Sequence, residues 1–122
     1  MSINEVSELL SVSKSQLRFY EKLRIINPIM KNSSGKRDYS EKDLLLIKLV
    51  LFLKKLGMPL KNINEFIELK KEGDVTLDER RKKLEELLLE TENIILEKIE
   101  SKKILENLIK SDDLKACFNC KK

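Results

Sequence analysis

The 122-residue chain contains no histidine, only three glycines and only two prolines. Histidine is the most common general acid or base at neutral pH and a frequent metal ligand. The chain also lacks a glycine-rich phosphate-binding loop and any paired acids that stand out from a helical charge pattern, so we do not expect an enzyme. The scarcity of glycine and proline favours an all-helical chain.

A long apolar run and an N-terminal targeting signal are also missing. No segment approaches the roughly 20 apolar residues that a membrane-spanning helix needs. The first residues, MSINEVSELL, carry acidic side chains where a secretory signal carries basic ones. We therefore expect a cytoplasmic protein with no membrane partner. A length of 122 residues fits one domain with a short appendage.

The net charge of +4 is unevenly distributed along the chain. Residues 1–40 hold seven lysines and arginines against four acids, a balance of +3, whereas residues 76–122 hold eleven of each sign, a balance of zero. A polyanionic partner would therefore bind the first third of the chain.

Residues 1–23 contain two helical patterns separated by a short break. Ser13 followed by Gln16 is typical of a capping box at the start of the second helix. Apolar residues at helical spacing predict a first helix of about two turns: Ile3, Val6, Leu9 and Leu10. The predicted buried residues of the second helix are Leu17, Tyr20 and Leu23. Its predicted exposed residues are Lys14, Ser15, Arg18, Phe19 and Lys22.

The middle of the chain combines a turn-rich segment with two further helices. Residues 28–39, PIMKNSSGKRDY, predict a small β-hairpin with its turn at residues 32–35. Ser40 with Asp43 predicts the start of a third, strongly apolar helix that ends at Gly57. Apolar residues at helical spacing predict a fourth helix: Leu60, Ile63, Phe66, Ile67 and Leu69.

A long uninterrupted helix is predicted near the C-terminus. Thr76 with Glu79 predicts a capping box, and residues 77–109 contain no glycine or proline. A narrow apolar seam runs along this helix: Leu84, Leu88, Ile95 and Ile99. A helix of roughly 50 Å is too long for the rest of the chain to cover, so we predict a homodimer through this seam.

Two short helices with a three-residue break, the second basic on its free face, are typical of a helix-turn-helix. On this spacing alone, a DNA-binding protein and a generic helical bundle both stay open. Lys36, Arg37 and Tyr39 lie on the hairpin and add a second basic element that favours DNA.

Three motifs in order resemble the MerR family of transcription regulators: VSKSQLRFYEKLRIINP, GKRDYSEKDL and LKKLGMPLKNINEFI. The resemblance covers residues 3–70. It implies a winged helix-turn-helix DNA-binding domain in residues 1–72, a dimerisation helix in residues 73–110 that pairs as an antiparallel coiled coil, and a tail in residues 111–122. The expected fold class is all-α with a small β-hairpin wing.

The resemblance also implies a function. A homodimer would bind a promoter operator and distort the DNA in response to an effector, so that RNA polymerase can use the promoter. The expected DNA-binding residues are Lys14, Ser15, Arg18, Phe19, Tyr20 and Lys22 of the second helix, Lys36, Arg37 and Tyr39 of the hairpin, and the weaker candidate Lys61. Glu21 is expected to orient a basic neighbour rather than to touch DNA.

Cys117 and Cys120 form a C-F-N-C motif in the tail. Two thiolates at this spacing could hold a thiophilic metal ion or act as a thiol redox switch. The alternative is a pair of reduced thiols on a frayed tail. Two observations argue against a metal site. The chain has no histidine, and two cysteines alone would leave a zinc ion with too few ligands.

Two other functions remain open. An architectural or excisionase-like protein would bind and bend DNA without any output at a promoter. A coiled-coil interaction module would have no salt-sensitive affinity for DNA.

Overall fold

The computed structural model describes residues 1–111, and most of these residues are helical. The helices are α1 (Ile3–Leu10), α2 (Lys14–Lys22), α3 (Glu41–Lys55), α4 (Leu60–Lys71), a short 3-10 turn (Asp74–Thr76) and α5 (Leu77–Lys110). The predicted helical class and the long C-terminal helix are confirmed. Among the described helices, none combines the length and the apolar character that a bilayer span requires.

Reciprocal serine and carboxylate bonds begin α1 and α3. At α3, the Asp43 amide donates to Ser40 Oγ at 3.2 Å and the Ser40 amide donates to Asp43 Oδ2 at 2.9 Å. This is the predicted capping box. Ser2 and Glu5 form a second box at α1, which the sequence analysis missed. These bonds satisfy backbone donors that have no partner inside the helix.

The cap of α2 differs from the prediction. The Gln16 amide donates to Ser13 Oγ at 3.0 Å, as expected. The Gln16 side chain, however, donates to the Tyr20 hydroxyl at 2.8 Å instead of returning to the cap. The predicted box is therefore only half formed, because the amide of Gln16 stabilises a buried phenol one turn further along α2.

The core between the helices draws on α1 to α4 and on the segment after α2. Its most buried side chains are Val6, Leu17, Tyr20, Ile25, Ile26, Ile47, Val50, Ile63 and Ile67. Leu17 and Tyr20 were predicted correctly, but Leu23 is 43% exposed and Leu9 is 56% exposed. Because α2 ends at Lys22 and Arg24 adopts a left-handed conformation with φ of 59°, the chain turns after Leu23. Ile25 and Ile26 fill the core in its place.

The predicted β-hairpin is reduced to one antiparallel bridge between Lys31 and Arg37. Within residues 1–111, no strand extends this bridge. The next hydrogen-bonded pair of the ladder would join residues 28 and 40, but Pro28 has no amide hydrogen and the Ser40 amide donates to Asp43 Oδ2 at 2.9 Å. We call residues 31–37 the bridged turn.

The tip of the bridged turn was predicted correctly. Asn32 Oδ1 accepts from the Ser34 amide at 2.9 Å and from the Lys36 amide at 3.1 Å. Gly35 has a φ of 76°, a conformation that costs an L-residue energy and glycine none. The asparagine and the glycine therefore close the turn without the support of a sheet.

The predicted capping box of Thr76 and Glu79 is wrong. Thr76 lies in the 3-10 turn before α5 and is 2% exposed. Its hydroxyl lies 2.6 Å from the Leu69 carbonyl oxygen and 2.8 Å from the Gly73 carbonyl oxygen, and both oxygens are within reach as acceptors. The same hydroxyl accepts a hydrogen bond from Arg80 Nε at 3.1 Å. Thr76 therefore ties the end of α4 to the start of α5, because its hydroxyl is buried beside the carbonyls of Leu69 and Gly73.

The chain divides into two compact units, and the division lies inside α5. The first unit, Met1–Lys83, is called the head, and the second unit begins at Leu84. The first turns of α5 belong to the head because Lys83 Nζ lies 2.8 Å from Glu65 Oε2 of α4. The compact head therefore extends to Lys83, and the boundary of the DNA-binding domain after residue 72 stays a prediction.

From Leu84 to Lys110, α5 has no buried side chain. The four seam residues are exposed in the single chain, at 41% for Leu84, 58% for Leu88, 53% for Ile95 and 47% for Ile99. A row of large apolar side chains in water is unfavourable, at about 25 cal/mol per Å² of apolar surface.

Candidate nucleic-acid interface

The outer face of α2 is polar and basic, as the sequence predicted. Leu17 and Tyr20 are buried, which turns the rest of the helix outward. The outward residues are Lys14, Ser15, Arg18, Phe19 and Lys22, all of which are exposed. Phe19 is 47% exposed, and its ring centroid lies 6.4 Å from that of Tyr20.

Basic side chains of α2 and of the bridged turn line one open cleft of about 440 Å³. We call it the cationic cleft. Its basic residues are Lys14, Arg18, Lys31, Lys36 and Arg37. The other lining residues are Ser2, Ile3, Asn4 and Gly35. Five cations around one concave surface create a positive potential that attracts a polyanion.

Arg18 and Arg37 lie on the same side of the head. Besides the cationic cleft, they line a second, shallower depression of about 260 Å³ together with Lys22 and Arg24. The structure therefore brings together the arginine of α2 and the arginine of the bridged turn, although 18 residues separate them in the sequence.

Glu21 holds Arg37 in place. Arg37 Nε donates to Glu21 Oε1 at 2.7 Å, while Glu21 Oε2 accepts from the Ile29 amide. The side chains are 30% and 17% exposed. The hydrogen bond to Glu21 raises the pKa of Arg37 above its ordinary value, so the guanidinium is always charged. One carboxylate thus joins α2 to the bridged turn, in the orienting role predicted for Glu21.

The two tyrosines of the predicted interface are buried in the free protein. Tyr20 is 1% exposed, and its hydroxyl accepts from Gln16 and lies 3.5 Å from Lys54 Nζ. Tyr39 is 3% exposed, and its buried hydroxyl has no hydrogen-bond partner within the described residues. Burial raises the pKa of Tyr39, with a smaller opposing effect of Arg37. A DNA contact by either hydroxyl would require these side chains to become accessible.

Lys61 lies apart from the cationic cleft. It lines a different depression, of about 190 Å³, with Leu23, Ile25, Leu60 and Asn64. The structure therefore does not place Lys61 with the other predicted DNA-binding residues.

The sequence analysis missed Lys31 and the α1 residues of the cationic cleft. Lys31 is paired across the bridged turn with Arg37. This pairing could have been read from the turn at residues 32–35, because residues facing each other across a turn share one side. Ser2, Ile3 and Asn4 had no such signal, since only the packing of α1 brings them to the cleft.

Cys117 and Cys120 lie outside the described residues. Within residues 1–111, no group of three or more cysteine, aspartate and glutamate side chains is arranged to hold a metal ion. A metal ion or a redox switch at the two cysteines therefore stays a prediction.

Comparison with known proteins gives consistent matches. The model of the MerR HTH family regulatory protein matches residues 1–70. An uncharacterized HTH-type transcriptional regulator of Synechocystis sp. is 30% identical over 109 residues, which are 89% of this chain and 80% of that protein. Across the curated relatives, the chain spans from 47% to 80% of their lengths.

Two solved structures are similar over most of the chain. A MerR family transcriptional regulator from Bacillus thuringiensis has a TM-score of 0.71 and 28% identity, covering 91% of this chain and 98% of that one. HiNmlR, a MerR family regulator lacking the sensor domain and solved bound to promoter DNA, has a TM-score of 0.69 and 31% identity, covering 87% of this chain and 78% of that one. The helix-turn-helix head, its cationic cleft and these matches together show that the chain belongs to the MerR family of transcriptional regulators.

Proposed function

We propose that the protein binds a promoter operator as a homodimer, with the cationic cleft of each head facing the DNA. The observation that carries the proposal is the convergence of Lys14, Arg18, Lys31, Lys36 and Arg37 on one surface. Phosphates flank the major groove on both sides, so cations on two separate elements can hold α2 between them. DNA bound by HiNmlR, a relative in fold and sequence, supports the same partner for this chain.

Within the cleft, α2 is the element that reads bases. Lys14 and Ser15 lie at its N-terminus and are exposed, and the first residues of a recognition helix usually contact base edges. Arg18, Lys22, Lys36 and Arg37 contact phosphates. Nε of Arg37 is already bonded to Glu21, so the terminal nitrogens of its guanidinium face the DNA. Phe19 contributes an apolar edge without a hydrogen bond.

The second unit supplies the dimer. The exposed seam of Leu84, Leu88, Ile95 and Ile99 is covered by α5 of a second copy, which places two heads on two half-sites. An effector shifts the dimer toward a form that bends and untwists the promoter, and RNA polymerase then uses the remodelled DNA. The bend costs on the order of several kcal/mol, supplied by contacts of both heads.

Operator binding at several salt concentrations tests the cleft. With four phosphate contacts in each head and eight in the dimer, the slope of log affinity against log salt concentration should be about −7. Arg18→Ala and Lys36→Ala should each reduce the magnitude of this slope by about one for every head that binds DNA. Lys82→Ala is the control, because Lys82 is an exposed cation outside the cationic cleft, and its slope should match the wild type.

Two outcomes would contradict the proposal. An affinity that does not change with salt would identify a coiled-coil interaction module. A footprint that lies away from any promoter spacer, with bent DNA and no change in transcription, would identify an architectural protein.

Transcription in vitro with a thiophilic metal ion or an oxidant, repeated on a Cys117→Ser and Cys120→Ser double variant, tests whether the cysteines sense the effector.

A further inference from the structure

Charge is divided into two blocks along the second unit of α5. Residues 84–97 contain five glutamates and no lysine or arginine. Residues 98–110 contain four lysines and two glutamates, a balance of +2. The helix is continuous through both blocks. A single helix of this kind has an acidic half and a basic half, so it can pair with itself only in certain arrangements.

Four of these charges lie on one line beside the apolar seam: Glu85, Glu92, Lys103 and Lys110. Steps of 7, 11 and 7 residues separate them. Because an α-helix turns by about 100° per residue, each step ends within about 20° of the previous side chain in the direction around the helix axis. All four side chains are exposed. None of the four takes part in an ion pair within residues 1–111. The line therefore consists of two glutamates followed by two lysines, none of which forms an ion pair with another described residue.

We propose that this line is a registry device of the homodimer, in which Glu85 pairs with Lys110 of the second copy and Glu92 pairs with Lys103 of the second copy. The inference rests on the dimer of the proposed function, takes the antiparallel orientation that the family resemblance implies, and adds the register. Both pairs have the same midpoint, because 85 + 110 and 92 + 103 both equal 195. Two antiparallel copies whose two-fold axis lies between residues 97 and 98 therefore form both pairs twice.

Other arrangements of the two helices bring like charges together. A parallel pair in register sets the acidic block beside the acidic block of the second copy and the basic block beside its basic block. An antiparallel pair centred between residues 91 and 92 would match Leu84 with Ile99 and Leu88 with Ile95. It would also set the acidic block against itself, with Glu92 beside its own copy. Like charges directly opposed destabilise a helix pair, so the charges favour the register centred between residues 97 and 98 over the one centred between residues 91 and 92.

Charge reversal along the line tests the register, with dimer dissociation measured by analytical ultracentrifugation of the full chain under reducing conditions. Glu85→Lys with Glu92→Lys turns four attractive pairs per dimer into four repulsive ones. This variant should raise the dissociation constant at least about tenfold at low salt and less at high salt. Adding Lys103→Glu and Lys110→Glu restores opposite charges, and the fourfold variant should dimerise within about threefold of the wild type.

The matched control is Glu90→Lys with Glu97→Lys. These glutamates are also seven residues apart and exposed, but helical geometry places them on the side of α5 opposite the seam. The control changes the net charge by the same amount and should shift the dissociation constant by less than about threefold. Far-UV circular dichroism of each variant checks that α5 remains helical.

The results separate failure of the register from failure of the dimer. Equal weakening by the test and control variants, or no recovery in the fourfold variant, would overturn the register while leaving the dimer intact. A wild-type chain that sediments as a monomer at all concentrations would overturn the dimer itself, and the register with it.

Discussion

At the residue scale, the central contact of the head is the one between Glu21 and Arg37. An acidic side chain next to a proposed DNA-binding surface repels phosphate, so its presence there needs a compensating role. The two carboxylate oxygens bond Arg37 of the bridged turn and the Ile29 amide before it. Glu21 thereby fixes the distance between α2 and the bridged turn, which have no sheet between them to do so.

The role of Glu21 can be separated from its charge. Glu21→Ala removes a negative charge, so electrostatics alone would raise operator affinity. If Glu21 positions Arg37, affinity should instead fall about fivefold or more, as measured by fluorescence anisotropy. Glu8→Ala removes an exposed carboxylate of α1 and should leave affinity equal or slightly higher. In an Arg37→Ala background, Glu21→Ala should have little further effect, because the two residues act through one contact.

The buried hydroxyl of Tyr39 predicts an unusual stability profile. Burial raises the pKa of Tyr39 in the folded protein, so the neutral phenol is favoured. The stability that the neutral phenol contributes is fully present below about pH 10, the ordinary pKa of a tyrosine. This contribution is lost as the pH rises through the folded pKa. The free energy of urea unfolding should therefore fall from pH 8 to pH 10.5 more in the wild type than in Tyr39→Phe.

The same variant tests the predicted phosphate contact. At pH 8, Tyr39→Phe should be at least as stable as the wild type, because it removes a hydroxyl that has no protein partner within residues 1–111. Operator affinity should nevertheless fall about fivefold if the hydroxyl turns to a phosphate in the complex. Unchanged affinity would remove Tyr39 from the DNA-binding set.

At the scale of elements, the corner between α4 and α5 depends on one hydroxyl. Thr76 was predicted to begin α5 as a cap, but the structure buries it between the carbonyls of Leu69 and Gly73 and the guanidinium of Arg80. Arg80 also donates to the Gly73 carbonyl at 3.2 Å. Spacing alone cannot distinguish these two roles, because a threonine before a helix can bond forward to an amide or back to a carbonyl.

Thr76→Val keeps the shape of the side chain and removes the hydroxyl. It should lower the free energy of unfolding by about 1–3 kcal/mol, since Leu69, Gly73 and Arg80 lose a buried partner. Thr76→Ser keeps the hydroxyl and should lose less than half of that amount. Both are measured by urea unfolding at one protein concentration. Equal losses in the two variants would mean that the methyl group, not the hydroxyl, stabilises the corner.

At the scale of the whole molecule, the proposed dimer links the exposed seam of α5 to the task of the heads. Two heads joined through α5 would bind DNA with a higher effective concentration than a single head with five basic residues in its cleft. The exposed fractions of 53% for Ile95 and 47% for Ile99 in the single chain are consistent with a surface that a second copy covers.

Ile95→Asp should therefore separate the two units functionally. A charge in the middle of the seam should convert the protein to a monomer in sedimentation and lower operator affinity at least about 100-fold. The Leu96→Asp control changes a residue that is 65% exposed and lies off the seam, and it should have a much smaller effect. If Ile95→Asp were monomeric with full affinity, one head would suffice for recognition.

The sequence by itself determined the helices, the buried face of α2, the turn at residues 32–35 and the membership of the MerR family. These follow from local periodicity, local capping and motifs of adjacent residues, which are properties of a short stretch of chain. Only the tertiary structure decided that Ile25 and Ile26 replace Leu23 in the core and that Ser2, Ile3 and Asn4 join the cationic cleft. Each of these depends on how distant elements pack against one another, and a linear pattern contains no record of that packing.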